Sequence, residues 1–232
     1  MSAALRWLPQ GTVYGALLNF RREWDLWAPQ MAQAPYKAAP QAPVLYIKTA
    51  NTFAPCGTAI AVPDEVDVGA TLGLVIGGFE EKLPPALAES AQAATKKEAG
   101  GLHRIAGCVL LNDLSLPHAS YYRPPIKFRN RDGFLGCGPV LQAVPDLSTL
   151  ALELRINGTL AQRIELSTLV RDAATLLRAV SDFTTLQAGD VLMLGTDCLP
   201  DGTRPRAKAG DRIEISAPGF APLVNTLVED AA

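Results

Sequence analysis

The dipeptide Asn157-Gly158 sits between two stretches of alternating apolar and polar residues, 150–156 and 159–164, and limits the possible folds more than any other feature. Asn-Gly accepts positive φ at both central positions of a two-residue turn, so it joins two antiparallel strands. A hairpin of this kind needs further strands to cover its apolar face, and the sequence supplies them. Residues 12–18 are apolar and β-prone, and 44–48 read as a short strand that ends at a polar loop over 49–52. Residues 70–76 form an unbroken apolar run closed by Gly77-Gly78, as expected for a strand covered on both faces. Val109-Leu110-Leu111 is another buried strand, leading straight into Asn112-Asp113. Gly189-Asp190 and Gly210-Asp211 each feed a strand, a repeated local solution to strand entry rather than a duplicated domain.

Two helices stand out. Pro84-Pro85 can open one that runs to about residue 99, with Gly100 at its end. Ser167 can cap a second, in which Leu169, Ala173, Leu176, Leu177 and Val180 share one face. A Trp- and Arg-bearing stretch over 21–27 precedes a Pro- and Ala-rich tract, 28–43, that reads as an irregular surface segment. Many short strands with few helices predict one mainly-β domain over residues 1–232. Its first 43 residues are a strand plus the irregular segment, and 44–232 form the core.

Bulk properties narrow the function. Hydrophobic residues at 48% and charged residues at 19% describe a chain that buries a core, not a disordered one. A net charge of -2 without a basic run argues against nucleic acid. No apolar stretch reaches the roughly 18 residues of a membrane span, and residues 1–10 lack the regions of a signal peptide, so a cytoplasmic protein is expected. Cys56, Cys108, Cys137 and Cys198 form no C-x-x-C pair and read as reduced, mostly buried thiols. His103 and His118 are too few for a multi-imidazole metal site. His118 reads as a surface-loop residue, and Trp7, Trp24 and Trp27 as core or interface anchors. There is no G-x-S-x-G, P-loop or H-E-x-x-H motif, and Gly136-Cys137-Gly138 lacks the third glycine of a dinucleotide fingerprint.

The chemistry concentrates between residues 106 and 138. Asp113 follows a buried strand, and Arg123, Lys127, Arg129 and Arg131 follow it. Arg and Lys donors bind carboxylates, and an Asp at a strand end can hold a divalent cation, so the cluster suits an anionic substrate. A purely structural turn, with Asp132 paired to a nearby arginine, is the alternative.

Gly107-Cys108-Val109-Leu110-Leu111-Asn112-Asp113-Leu114-Ser115, Tyr121-Tyr122-Arg123-Pro124 and Arg131-Asp132-Gly133-Phe134 resemble the fumarylacetoacetate hydrolase superfamily. Leu18-Asn19-Phe20, Ile47-Lys48 with Asn51-Thr52, Leu194-Gly195-Thr196 and Ala209-Gly210-Asp211 extend the resemblance, in order, over nearly the whole chain. Within the superfamily the pattern is most similar to the isomerase/decarboxylase subgroup of homoprotocatechuate (4-hydroxyphenylacetate) degradation, in the amino-terminal half of its two-repeat members. The resemblance implies the family's mixed β-sandwich or roll and a dicarboxylate or tricarboxylate substrate. It also implies Mg2+ or Mn2+ held by two glutamates of an E-x-E strand and one aspartate, acting as a Lewis acid toward an enolate.

Here the family pattern breaks. The two glutamate positions fall on Gly69 and Thr71, leaving Asp113 as the single matching ligand. The family's catalytic lysine falls on Arg129, which stays protonated and shuttles protons poorly, with Lys127 two residues before it. Glu23 stands where members often place a histidine, and Lys48 and Thr196 match positions that line the family pocket. Arg123, Lys127, Arg129 and Arg131 are the expected carboxylate contacts, of which strand alternation lets only some face the pocket. Glu65 and Asp67 share strand parity with Gly69 and Thr71, but extended geometry puts them about 7–14 Å away. Three functions remain open: a subunit of an isomerase/decarboxylase, as homodimer or as heteromer with a metal-site-complete paralogue; a binding or scaffold domain of the same fold; or an independent 2-oxo-acid hydrolase or decarboxylase with an atypical metal site.

Overall fold

The structure, a computed structural model, describes residues 7–77, 105–118, 126–138 and 144–230. The helix expected over 84–99 lies outside these residues, as do His103, Tyr121, Tyr122 and Arg123. The described chain runs β1 (Val13–Leu17), α1 (Arg21–Met31), β2 (Val44–Lys48), β3 (Phe53–Pro55), β4 (Ala59–Val62), β5 (Val66–Ile76), β6 (Ile105–Ser115), α2 (Ile126–Arg129) and β7 (Leu135–Cys137). It continues with β8 (Ala151–Ile156), β9 (Thr159–Glu165), α3 (Ala173–Ser181), β10 (Val191–Met193), β11 (Arg206–Ala207), β12 (Arg212–Ser216) and β13 (Leu223–Glu229).

The Asn157-Gly158 hairpin forms as expected, with φ of 52° and 80° at its two turn residues and Ile156 facing Thr159. Its strands belong to a five-stranded sheet ordered β4-β13-β12-β8-β9. The second sheet is mixed and ordered β2-β1-β10-β5-β6-β7-β3, with β11 added to β5. The expected mainly-β fold with a few helices, a mixed sandwich and roll, is therefore the observed one.

The larger sheet must curl. Its outermost strands, β2 and β3, are six strand spacings apart, about 29 Å if flat. They are also consecutive in the chain and joined only by residues 49–52, a connection that reaches at most about 17 Å. Rolling the sheet brings both edges together and gives it an inner and an outer face. Val68, Ala70, Leu72 and Leu74 of β5 point one way, into the main core shared with Leu152, Leu154, Ile213 and Ile215 of the smaller sheet. The alternate residues point the other way, into a second cluster built from Val13, Leu17, Tyr46, Val75, Val109, Leu111, Leu135, Val191 and Met193. Trp7, Trp24 and Trp27 pack against this second cluster, consistent with their reading as anchors. Burial on both faces accounts for the unbroken apolar run of β5.

Several local expectations change. Asn112 and Asp113 lie inside β6, not after it, because the strand continues to Ser115 opposite Asp67 of β5. Helix α1 extends to Met31 and absorbs the first residues of the tract expected to be irregular. Helix α3 begins after Asp172, whose carboxylate accepts the Thr175 N–H at 2.7 Å, while Ser167 lies in a single 3-10 turn. The expected buried face of α3 is present in Ala173, Leu176, Leu177 and Val180, whereas Leu169 instead bridges Phe20. The two Gly-Asp turns share one construction: Asp190 accepts from the Gln187 N–H, and Asp211 from the Lys208 N–H, each at 2.8 Å. Gly189 and Gly210 both take φ of 91°, a conformation open chiefly to glycine.

Candidate functional site

Side chains of β2, β5 and β6 on the second-cluster face converge. Gly69 of β5 pairs directly with Asp113 of β6, and Thr71 with Leu111, so the three positions implied as metal ligands do share one face. Tyr46 and Lys48 reach the same place from β2 because the sheet rolls. The Lys48 ammonium contacts Asp113 Oδ1 at 2.8 Å as an ion pair, and gives its aligned hydrogen bonds to the carbonyls of Leu114 (3.1 Å) and Arg129 (2.5 Å). Arg129, at the end of α2, donates from Nη1 to Asp113 Oδ2 at 3.3 Å. The Tyr46 hydroxyl donates a short hydrogen bond to the same oxygen.

All four groups are buried, so their charges are felt strongly. Burial pushes the Asp113 carboxyl up, but the Lys48 and Arg129 cations, with hydrogen bonds from Lys48 and Tyr46, outweigh it and hold the group below the ordinary aspartate value. Burial pulls the Lys48 ammonium down, opposed by Asp113. Burial and the adjacent Asp113 charge keep the Tyr46 phenol well above its ordinary value, so it remains a donor. The Arg129 guanidinium carbon lies 4.5 Å from the centre of the Tyr46 ring, a cation–π contact that adds to the fixation of both.

Tyr46 was not singled out in the sequence. Its signal was parity, since Tyr46-Ile47-Lys48 places residues 46 and 48 on one face of a strand. A second signal lies across the ladder: Tyr46 faces Gly15 of β1, and a Cβ there would fall 2.2 Å from the tyrosine ring. Thr196 is buried against the site, its Cγ2 2.5 Å from where a Gly69 Cβ would stand.

Other expected contacts disperse. Lys127 is exposed and lies over the Phe128 ring, so it does not join the cluster. Arg131 turns away to pair with Asp230 at 2.8 Å. Asp132 accepts from Asn51 Nδ2 at 2.7 Å, and among the described residues no arginine pairs with it. Glu65 and Asp67 are both held by Arg206, at 2.9 and 3.2 Å, and do not reach toward Asp113 as substitute ligands. Glu23 is buried and bonded to Arg204, whose second amino group donates to the Asp197 carbonyl. The four cysteines are free, three of them buried.

A divalent cation does not fit this arrangement. Mg2+ and Mn2+ need several oxygen ligands. The single carboxylate already has two cations and a phenol on it, and no group of three His, Cys, Asp or Glu capable of holding a metal occurs among the described residues. A cavity of about 460 Å3, lined by Trp27, Asp67, His118, Thr203, Arg204 and Arg206, is bounded by none of Tyr46, Lys48, Asp113 or Arg129. His118 stacks on Phe128, immediately before Arg129, and is half-buried rather than a free surface residue.

A rolled mixed sheet packed on a five-stranded one, with the inner-face Asp113 and Lys48 beside Thr196, defines the class. Residues 12–228 match the fumarylacetoacetate (FAA) hydrolase C-terminal family, and the chain belongs to it. The chain is 38% identical over 224 residues to the 4-hydroxyphenylacetate degradation bifunctional isomerase/decarboxylase of Escherichia coli, covering 95% of this chain and 48% of that protein. It thus spans about half the length of that relative. In fold it is similar to 5-carboxymethyl-2-hydroxymuconate delta-isomerase of Mycobacterium smegmatis (TM-score 0.70, 24% identity, 95% of this chain and 80% of the other). It is also similar to maleylpyruvate hydrolase of Sphingobium sp. SYK-6, solved with manganese(II) and pyruvate (TM-score 0.66, 19% identity, 96% and 72%).

Proposed function

We propose that this chain is one repeat-sized unit of an isomerase/decarboxylase of 4-hydroxyphenylacetate catabolism, which binds the carboxylate end of a dicarboxylate or tricarboxylate. In this reading the metal-assisted enolate chemistry resides in a unit that has its E-x-E glutamates, with this chain as its partner in a cytoplasmic oligomer. One observation carries the proposal: the cationic side of the family site, Lys48 and Arg129, is kept around Asp113, while Gly69 and Thr71 stand at the glutamate positions and no metal cage occurs among the described residues. The similarity to the E. coli isomerase/decarboxylase over 95% of the chain supports the reaction class.

The test is reconstitution. Purified chain, a glutamate-complete paralogue, and their mixture are assayed with Mn2+ for decarboxylation and isomerisation of a 2-oxo dicarboxylate. Stimulation of the paralogue by this chain, with little activity from the chain alone, is the expected result. Metal-dependent turnover by the isolated chain would favour the independent enzyme. Carboxylate binding without stimulation of any paralogue would favour a binding domain of the same fold.

A further inference from the structure

Two asparagine side chains meet inside the main core, one from each sheet. Asn112 of β6 stands between Ala70 of β5 and Gly136 of β7 in the ladder, and it is 0% exposed. It projects to the face opposite Asp113, toward the smaller sheet. Asn225 of β13 approaches from that sheet and is 1% exposed. A Cβ at Gly136 would fall 2.1 Å from Asn225 Oδ1 and 3.1 Å from Asn112 Cβ, so both side chains border one spot. The small residues on either side of Asn112, Ala70 and Gly136, leave room beside its amide.

The Asn225 amide has a defined sense. Its Nδ2 donates to the carbonyls of Pro55 and Thr58, each at 3.4 Å, and two acceptors at that end require the nitrogen there. Oδ1 is thereby turned to Gly136, beside Asn112, and among the described residues it has no hydrogen-bond partner. Neither Asn112 Oδ1 nor Asn112 Nδ2 has one among them. Two acceptors and one donor group are therefore buried around the same spot without bonding each other. Such groups are costly in an apolar interior, and folded proteins satisfy nearly all of them with protein or water.

We infer that Asn112 and Asn225 hold one buried water that ties the larger sheet to the smaller. The water accepts from Asn112 Nδ2–H and donates to Asn225 Oδ1, and its second O–H serves Asn112 Oδ1. A cation would be repelled by the Nδ2 donor and an anion by the two oxygens. A neutral ligand that both donates and accepts is the class that fits, and between packed strands it must be small. With hydrogen bonds of about 2.8 Å, a water joins groups up to about 5.6 Å apart. This site is independent of the charged cluster around Asp113 and of the proposed function.

The experiment is a crystal structure of the full chain at a resolution that shows ordered water, with thermal unfolding of variants beside it. A well-ordered water within about 3.2 Å of both amides is expected. Asn112→Leu nearly keeps the side-chain shape but strips Asn225 Oδ1 and the water of partners, so Tm should fall by about 2–4 °C or more. Were the amides dry, Asn112 would burden the core and the same substitution would raise Tm. Asn112→Leu with Asn225→Leu removes both ends together and should cost less than the two single losses combined. Amides bonded directly to each other, no water between them, a Tm raised by Asn112→Leu, or strict additivity would each overturn the inference. The parent crystal structure decides the matter even where a variant fails to fold.

Discussion

Gly15 and Tyr46 face each other across the β1–β2 ladder, and the space a Cβ would fill at Gly15 is taken by the tyrosine ring, 2.2 Å away. That ring carries Arg129 on its face, and its hydroxyl holds Asp113. A glycine in an apolar strand, otherwise a weak point, is thus the condition for the arrangement of the charged cluster. Gly15→Ala should cost about 1–3 kcal/mol in urea unfolding by forcing the ring aside. Added to Tyr46→Ala, which removes the obstacle, it should cost much less, so a double-mutant cycle will show coupling. Strict additivity would mean that the two residues do not compete for space.

Asp113→Asn should destabilise by about 3–5 kcal/mol, because it leaves Lys48 and Arg129 buried without their carboxylate. Chemical denaturation at neutral pH measures this. A loss under 1 kcal/mol would show that the pairs contribute little.

The acid limb of stability follows from the same group. The folded-state Asp113 carboxyl is held below its unfolded value, so its contribution is complete above the unfolded aspartate value of about 3.9 and is lost as pH falls through the lower folded value. The gap in melting temperature between parent and Asp113→Asn should therefore stay constant down to about pH 4 and narrow below it. A gap that closes already between pH 7 and 5 would contradict the sign of the shift.

Restoring the family glutamates should not by itself restore metal binding. A Gly69→Glu Cβ would meet Thr196 Cγ2 at 2.5 Å, and Asp113 would still be engaged by Arg129. Gly69→Glu with Thr71→Glu should bind Mn2+ weakly by electron paramagnetic resonance. Adding Thr196→Ser and Arg129→Ala should tighten it by about tenfold or more, since both obstacles are removed. Tight binding by the two-glutamate variant would show that the cationic cluster yields easily.

The cap of α3 distinguishes two candidate residues. Asp172→Ala should cost about 1 kcal/mol, because the Thr175 N–H loses its acceptor. Ser167→Ala, outside the helix, should stay within about 0.5 kcal/mol. Equal effects would mean that Asp172 does not act as the cap.

What could be read along the chain was what period and local chemistry decide. Asn157-Gly158 permits the positive φ its turn needs, the apolar run of β5 reports burial on both faces, and the Gly-Asp pairs report a turn closed by an aspartate. The places of Gly69, Thr71 and Asp113 were legible too, because alternation along two strands puts all three on one side once the strands pair. Charge partners were not legible. Arg129 and Lys127 are two residues apart, yet only Arg129 enters the cluster, because α2 points one inward and leaves the other in solvent. Asp172 rather than Ser167 caps α3 because the chain first makes a separate 3-10 turn there, which sequence periodicity does not reveal.

The sequence by itself determined the mainly-β class, the family and the loss of the two glutamates, since each is a property of residue type at a position. Only the tertiary structure decided what replaced them. Rolling the larger sheet carries Tyr46 and Lys48 from an edge strand onto Asp113, residues 65 or more apart in sequence, and a contact of that kind depends on curvature summed over many strands. No local window holds that sum, whereas the Gly15 opening, the Tyr46 ring and the Arg129 cation exist as one arrangement only after the sheet has closed.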